Sequence, residues 1–133
     1  YNLLDEHARR FGASVPIIAQ WDDHEVVDNW FHDLVLANDA RYSEKRVRVL
    51  AERAKQAFFE FLPIRRHPTD AGRVYRQFRY GPLLEVFVVD LRSYRGANSG
   101  NRQPTGSDAA SIFGSEQLTW LRNALRSSTA VWK

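Results

Sequence analysis

Asp22, Asp23, Glu25 and Asp28 place four carboxylates around His24 and Asn29 within a single short stretch, and Trp21 and Trp30 close it on either side. Carboxylates crowded in this way repel one another unless positive charge sits among them, and a divalent or trivalent cation would supply that charge. Oxygen and imidazole donors suit Fe, Mn, Zn, Mg or Ca better than soft metals. Because the chain has no cysteine, a metal site must be built from Asp, Glu, His, Asn or Tyr. The other reading is a solvated acidic loop whose aspartates cap the following turn, although two flanking tryptophans are unusual in a loop that is merely solvated. His24-Glu25-Val26-Val27-Asp28 is not the zinc-protease HExxH pattern, since Asp28 stands where that pattern requires a second His.

A second group lies in Asp90-Leu91-Arg92-Ser93-Tyr94-Arg95. Arg92 and Arg95 can bind a substrate phosphate through bidentate guanidinium contacts, or they can pair with Asp90 and the acidic cluster. His7 belongs with Leu3, Leu4 and Phe11 on a helical face, and His67 sits beside Pro68 in a polar connection. His32 follows the acidic cluster closely enough to enter the same pocket.

These groups need elements to hold them. Leu3, Leu4, His7 and Phe11 predict a short amphipathic helix over 1–11 with Gly12 as its C-cap. The continuous apolar run Val15 to Trp21 predicts a buried strand that delivers the acidic cluster at its carboxyl end, where open α/β sheets keep their sites. Val47, Leu50, Ala51, Ala54, Ala57, Phe58 and Phe61 recur at helical spacing and predict a helix over 43–62, stopped by Pro63. The runs 74–80 and 83–90 flank Gly81-Pro82 and predict a hairpin whose second strand is covered on both faces. Residues 96–114 read as a long functional loop. Ser115 is the expected N-cap of a last helix that buries Leu118, Leu121 and Leu125, with Trp120 in its core, and Ala130 to Lys133 reads as a strand just starting.

The order of elements is α/β, with α+β as the alternative. The absence of any methionine and the late strand start lead us to expect one partial domain, 1–133, truncated at both ends. Hydrophobic residues make up 44% of the 133, which excludes global disorder. No run approaches the roughly 20 apolar residues of a membrane span, and the opening residues resemble no secretory leader, so the expectation is a soluble chain. The net charge of +3 is dispersed, without a block of like charges, which argues against a dedicated nucleic-acid partner. Most of the basic residues are arginine, as phosphate chemistry or an Arg-rich genome would both produce.

Trp21-Asp22-Asp23-His24-Glu25, Asn29-Trp30, Tyr75-Arg76-Gln77-Phe78-Arg79-Tyr80-Gly81, Asp90-Leu91-Arg92-Ser93-Tyr94-Arg95 and Glu116-Gln117-Leu118-Thr119-Trp120-Leu121, with Trp132-Lys133, follow one another as in a known family. In wording and order the chain resembles the alkaline phosphatase D (PhoD-like) family of metallophosphoesterases. The resemblance implies a domain of two mixed β-sheets packed face to face and flanked by helices, of which this chain is the central portion. It implies metal-dependent hydrolysis of phosphate mono- or diesters by a metal-bound hydroxide, with two or more metals, Fe and Ca among them. Asp23 is then a metal ligand and His24 the leaving-group acid or transition-state stabiliser, with Asn29 carried over as substrate-binding beside the phosphate contacts offered by Arg92 and Arg95. The usual Asn-Asn is Asp28-Asn29 here, so only Asn29 carries over. Family motifs of the G-D-x-x-Y and G-D-x-H types, which bear the other ligands, do not occur in these residues. The resemblance further implies a phosphate-ester substrate and export to the periplasm or medium, while the incomplete sheet implies self-association of the isolated chain. Two competing readings are a calcium- or zinc-assisted hydrolase of another ester, and a non-catalytic module that binds an acidic or nucleotide ligand through Trp30, Tyr75, Arg76 and Tyr94.

Overall fold

The computed structural model describes residues 4–100 and 102–133. Its elements, in chain order, are α1 (Glu6–Ser14), α2 (Val47–Phe61), β1 (Arg76–Tyr80), β2 (Leu84–Val88), a 3-10 turn (Asp108–Ala110) and α3 (Ser115–Ser127). Helices with a small sheet agree with the α/β reading. Among the described residues the sheet is a single antiparallel pair, with Tyr80 opposite Leu84 and Arg76 opposite Val88. Gly81, at φ +64, opens the three-residue turn between them, a backbone conformation that costs glycine little. The strand expected to start near the C-terminus does pair: Trp132 bridges Leu84 in parallel, donating to the Leu83 carbonyl at 2.8 Å and accepting from Glu85 N–H at 3.0 Å.

The core gathers under the acidic segment. Trp21 and Trp30 are 1% and 0% exposed and meet edge to face at 5.6 Å, while Phe58 of α2 stacks at a tilt on Trp21 at 6.0 Å. Val27, Val47, Ala51, Phe59 and Val74 complete the cluster. The helical stripe of α2 is realised in part: Val47, Ala51 and Phe58 are buried, but Phe61 is exposed and Phe59 is buried in its stead, and the helix starts at Val47 rather than Ser43. Residues before it are taken by another pairing, in which Leu36 N–H donates to Lys45, Val47 N–H donates to Leu34, and Val35 bridges Arg46.

Several expectations are corrected. Val15 to Trp21 is not a strand. A strand exists through its ladder, and among the described residues no backbone ladder pairs this segment; Ile17 and Ile18 are exposed while Trp21 is buried. The first helix runs past Gly12 to Ser14, whose hydroxyl donates to the Arg10 carbonyl. Its N-terminus is capped by Asp5, which accepts from Ala8 N–H at 2.9 Å. No residue of α1 is buried, and Leu4 and Phe11 face outward; Leu3, expected on that face, lies outside the described residues. In α3 the N-cap is Gly114, and the buried side is Gln117 and Ala124, with Leu118 and Leu125 exposed and Leu121 half-buried. β2 is only partly covered, since Leu84 is exposed. No helix of the described residues is long and apolar enough to cross a membrane.

Candidate functional site

The two tryptophans hold the acidic segment as a staple holds a loop. Between them the backbone makes one tight turn, in which the Asp23 carbonyl accepts from Val26 and Val27 N–H, both at 2.9 Å. Glu25 reaches back to accept from Asp22 N–H at 2.8 Å, the reciprocal contact of a capping box. Asn29 closes the turn at φ +54, a left-handed conformation that asparagine tolerates better than most residues.

This turn drives Asp23 inward and leaves its neighbours outside. Asp23 is 5% exposed. Its Oδ2 accepts from Asn29 N–H at 2.7 Å and faces Arg92 Nη2 at 3.4 Å. The Asn29 bond, helped by the Arg92 charge, outweighs burial and holds the carboxyl below its usual range, so it stays ionised. The Oδ1 oxygen turns toward His24 Nε2, 3.8 Å away. His24 itself is exposed, and its Nε2 also lies 3.4 Å from Asp28 Oδ1. One donor atom from each of Asp23, His24 and Asp28 falls within a 4.8 Å group.

Arg92 closes the inner side. Its Nε donates to Asp22 Oδ1 at 3.2 Å while Nη2 faces Asp23, so a mostly buried guanidinium spans both aspartates. Of the two roles open to Arg92, the ion pair with the acidic cluster is the one realised here. The strand-end turn that aims it is built by Asp90, 1% exposed, whose Oδ1 accepts from Arg92 and Ser93 N–H at 3.0 and 2.9 Å. Asp90 is gripped in turn by Gln117 of α3: the side-chain oxygen accepts from Asp90 N–H at 2.7 Å and the amide nitrogen donates to its carbonyl at 2.8 Å. The long loop also reaches the site, where Asn98 Nδ2 donates to the Asn29 carbonyl at 2.6 Å.

Of the residues singled out from sequence, Asp23, His24, Asn29 and Arg92 are therefore brought together. Arg95 is not; it lines a separate groove with His32, Ser93, Tyr94 and Ser107. Asp28 joins the group although it was set aside as a departure from the family wording. Gln117 was not singled out as a functional residue. Its only signal in the sequence is a polar side chain on an otherwise apolar helical stripe. Of the four residues of the alternative binding face, Trp30 is buried in the core and Tyr75 is 6% exposed, while Tyr94 is 37% exposed and Arg76 lines a groove with Tyr75.

A buried, ionised carboxylate with a free oxygen, flanked by an exposed imidazole and a second carboxylate, is the donor set of a hard-cation site. Those three groups fit part of a metal's coordination and leave the rest to other ligands.

The acidic turn thus brings two aspartates and a histidine together over a tryptophan pair, with a guanidinium behind them. The chain belongs to the PhoD-like phosphatase family, whose model matches residues 1–133. It is 34% identical to alkaline phosphatase D of Bacillus subtilis (strain 168) over 140 residues, covering 96% of this chain and 23% of that protein. The solved "Structure of PhoD" matches with a TM-score of 0.62 and 33% identity, over 86% of this chain and 23% of that one. The chain thus spans about a quarter of the length of the relatives it matches.

Proposed function

We propose that residues 1–133 are the central portion of a catalytic domain that hydrolyses phosphate esters, and that they contribute one ligand-bearing turn to its metal centre. The observation that carries this reading is Asp23: a nearly buried carboxylate, kept ionised by Asn29 and Arg92, with its second oxygen beside His24 and Asp28. In the complete domain, two β-sheets packed face to face would surround this turn.

Asp23, with Asp28 beside it, would hold the metal. A divalent or trivalent cation held there would supply neutralisation of phosphoryl charge and activation of water. Everything else falls to the chain's own side chains. His24 is exposed and can hand a proton to the departing ester oxygen, while Asp28, 3.4 Å from Nε2, orients the ring. Arg92 fixes Asp22 and Asp23 against their mutual repulsion, and its charge beside the turn would attract a phosphoryl group. Asn29 holds Asp23 through its backbone and presents its carboxamide beside Asp28. Arg95 is kept as a contact for more distant parts of the substrate. Fe and Ca are the metals this reading favours, with Zn, Mn or Mg compatible with the same donors, and export to the periplasm or medium goes with it.

The test is metal content and phosphate-ester turnover in the full-length protein that carries this segment. Co-purifying metal that is lost in Asp23→Ala together with turnover is the expected result. Turnover that persists after complete chelation would overturn the reading.

A further inference from the structure

A groove of about 650 Å³ runs between the chain that leaves α2 and the start of β1, and neither Asp23, His24 nor Asp28 lines it. Arg65, Arg66, Arg73 and Arg76 line it, together with His67, and no carboxylate does. Among the described residues none of these four guanidiniums forms an ion pair. Their polar contacts are neutral. Arg66 Nη1 donates to the Ala71 carbonyl at 3.5 Å, Arg73 Nε to Tyr75 at 3.3 Å, and Arg76 Nη1 to Val74 at 2.9 Å. Arg76 Nη2 donates to the Ala19 carbonyl, and its Nε is buried with no partner.

The same wall is partly apolar. The Arg73 guanidinium lies over the Tyr75 ring at 4.0 Å and near Trp120 at 5.4 Å, which fixes its planar fork. Ile17, Ile18 and Phe78 offer surface that is 45%, 52% and 39% exposed. The nearby carboxylates are not part of its lining: Glu116 lines a neighbouring recess that shares Arg73, Tyr75 and Trp120, and the Asp70 carboxylate accepts from Gly72 N–H at 3.2 Å.

We propose that this groove binds a phosphate, or an oxyanion of the same shape, carried on an apolar or aromatic body. Four uncompensated guanidiniums repel one another, and an anion among them removes that cost while meeting their planar forks. Burial already disfavours the charge on Arg76, and a bound anion would relieve that penalty. The exposed isoleucines and Phe78 give the body of the ligand somewhere to lie. This inference does not depend on the metal reading, because no residue of the acidic cluster takes part.

The experiment is calorimetric titration of the full-length protein that carries this segment, in EDTA at physiological ionic strength, with phenylphosphonate and methylphosphonate, neither of which has an ester bond to hydrolyse. The expected result is one-to-one saturation by phenylphosphonate, with methylphosphonate about ten-fold weaker for want of the ring. Arg73→Gln and Arg65→Gln should each weaken phenylphosphonate several-fold, and Asp23→Asn should leave it unchanged. Should Arg73→Gln unfold by circular dichroism, exposed Arg65 decides the matter alone. Absence of saturation, equal affinity for both probes, indifference to Arg65→Gln, or loss of binding in Asp23→Asn would each overturn the proposal.

Discussion

Asp23 and His24 are consecutive yet live in opposite surroundings, one 5% exposed and locked by a 2.7 Å backbone bond, the other exposed beside Asp28. That contrast separates their variants. In the full-length protein, Asp23→Ala should lose metal and turnover for every leaving group. His24→Ala should keep the metal and lose on the order of 10²–10⁴-fold in rate, the usual size of a general-acid contribution. The loss should be small for nitrophenol and large for alkyl alcohols; metal analysis and a leaving-group series check both statements, and an equal loss for every leaving group would remove His24 from its role. A second pair of residues tests the electrostatics away from the site. Asp39 and Glu44 are each drawn down to about 2, chiefly by side-chain hydrogen bonds from Arg41 and Arg46. Their folded values lie below their ordinary ones, so the stability they contribute is complete above about pH 4.5 and drains away as pH falls toward 2. Carboxyl carbon shifts followed by NMR should give midpoints near 2 in the folded chain, and ordinary midpoints in Arg41→Gln and Arg46→Gln respectively.

Helix α3 is linked to the acidic turn through Asp90 and Arg92. Gln117 grips Asp90 by both backbone groups, Asp90 shapes the turn that aims Arg92, and Arg92 spans Asp22 and Asp23. Gln117→Leu keeps the bulk and strands two buried backbone groups, so it should cost about 1–3 kcal/mol in urea unfolding. Gly114→Ala should cost a comparable amount, on the order of 1–3 kcal/mol. The residue sits at φ +70 and ψ +158, open essentially to glycine alone, and an added Cβ would stand 2.9 Å from Tyr94 Cβ. Neither position could be read from the pattern. Periodicity places Leu118, Leu121 and Leu125 on the buried side of α3, whereas in the structure Gln117, bonded to Asp90, takes the buried place with Ala124. By contrast, α2 was plain in the sequence because nothing competes with its apolar stripe, and the hairpin because Gly81-Pro82 fixes its turn.

As a separate molecule the chain carries one turn of a site whose other ligands must come from elsewhere, and it should show no appreciable phosphatase activity. Turnover of an aryl phosphate by the 133-residue chain at rates comparable to the full-length protein would refute the division of the site. Among the described residues β1 has only β2 as a partner, and an unpaired strand edge invites association. Sedimentation should therefore find oligomers, and a monomer that unfolds cooperatively would count against this reading. Val15 to Trp21 has the composition of a buried strand, but composition cannot supply the ladder that makes one: Trp21 is buried, Ala19 packs partly against the core, and the rest lies exposed. The wording Trp-Asp-Asp-His-Glu carried the site further than any periodicity did, because both of its flanking tryptophans are core and the turn between them is fixed at its ends. Those two indoles, edge to face at 5.6 Å, are close enough for their electronic transitions to couple. The protein thus carries its own optical gauge: an exciton couplet in the ultraviolet circular dichroism that should report on the acidic turn as cations are added, and vanish in Trp30→Phe.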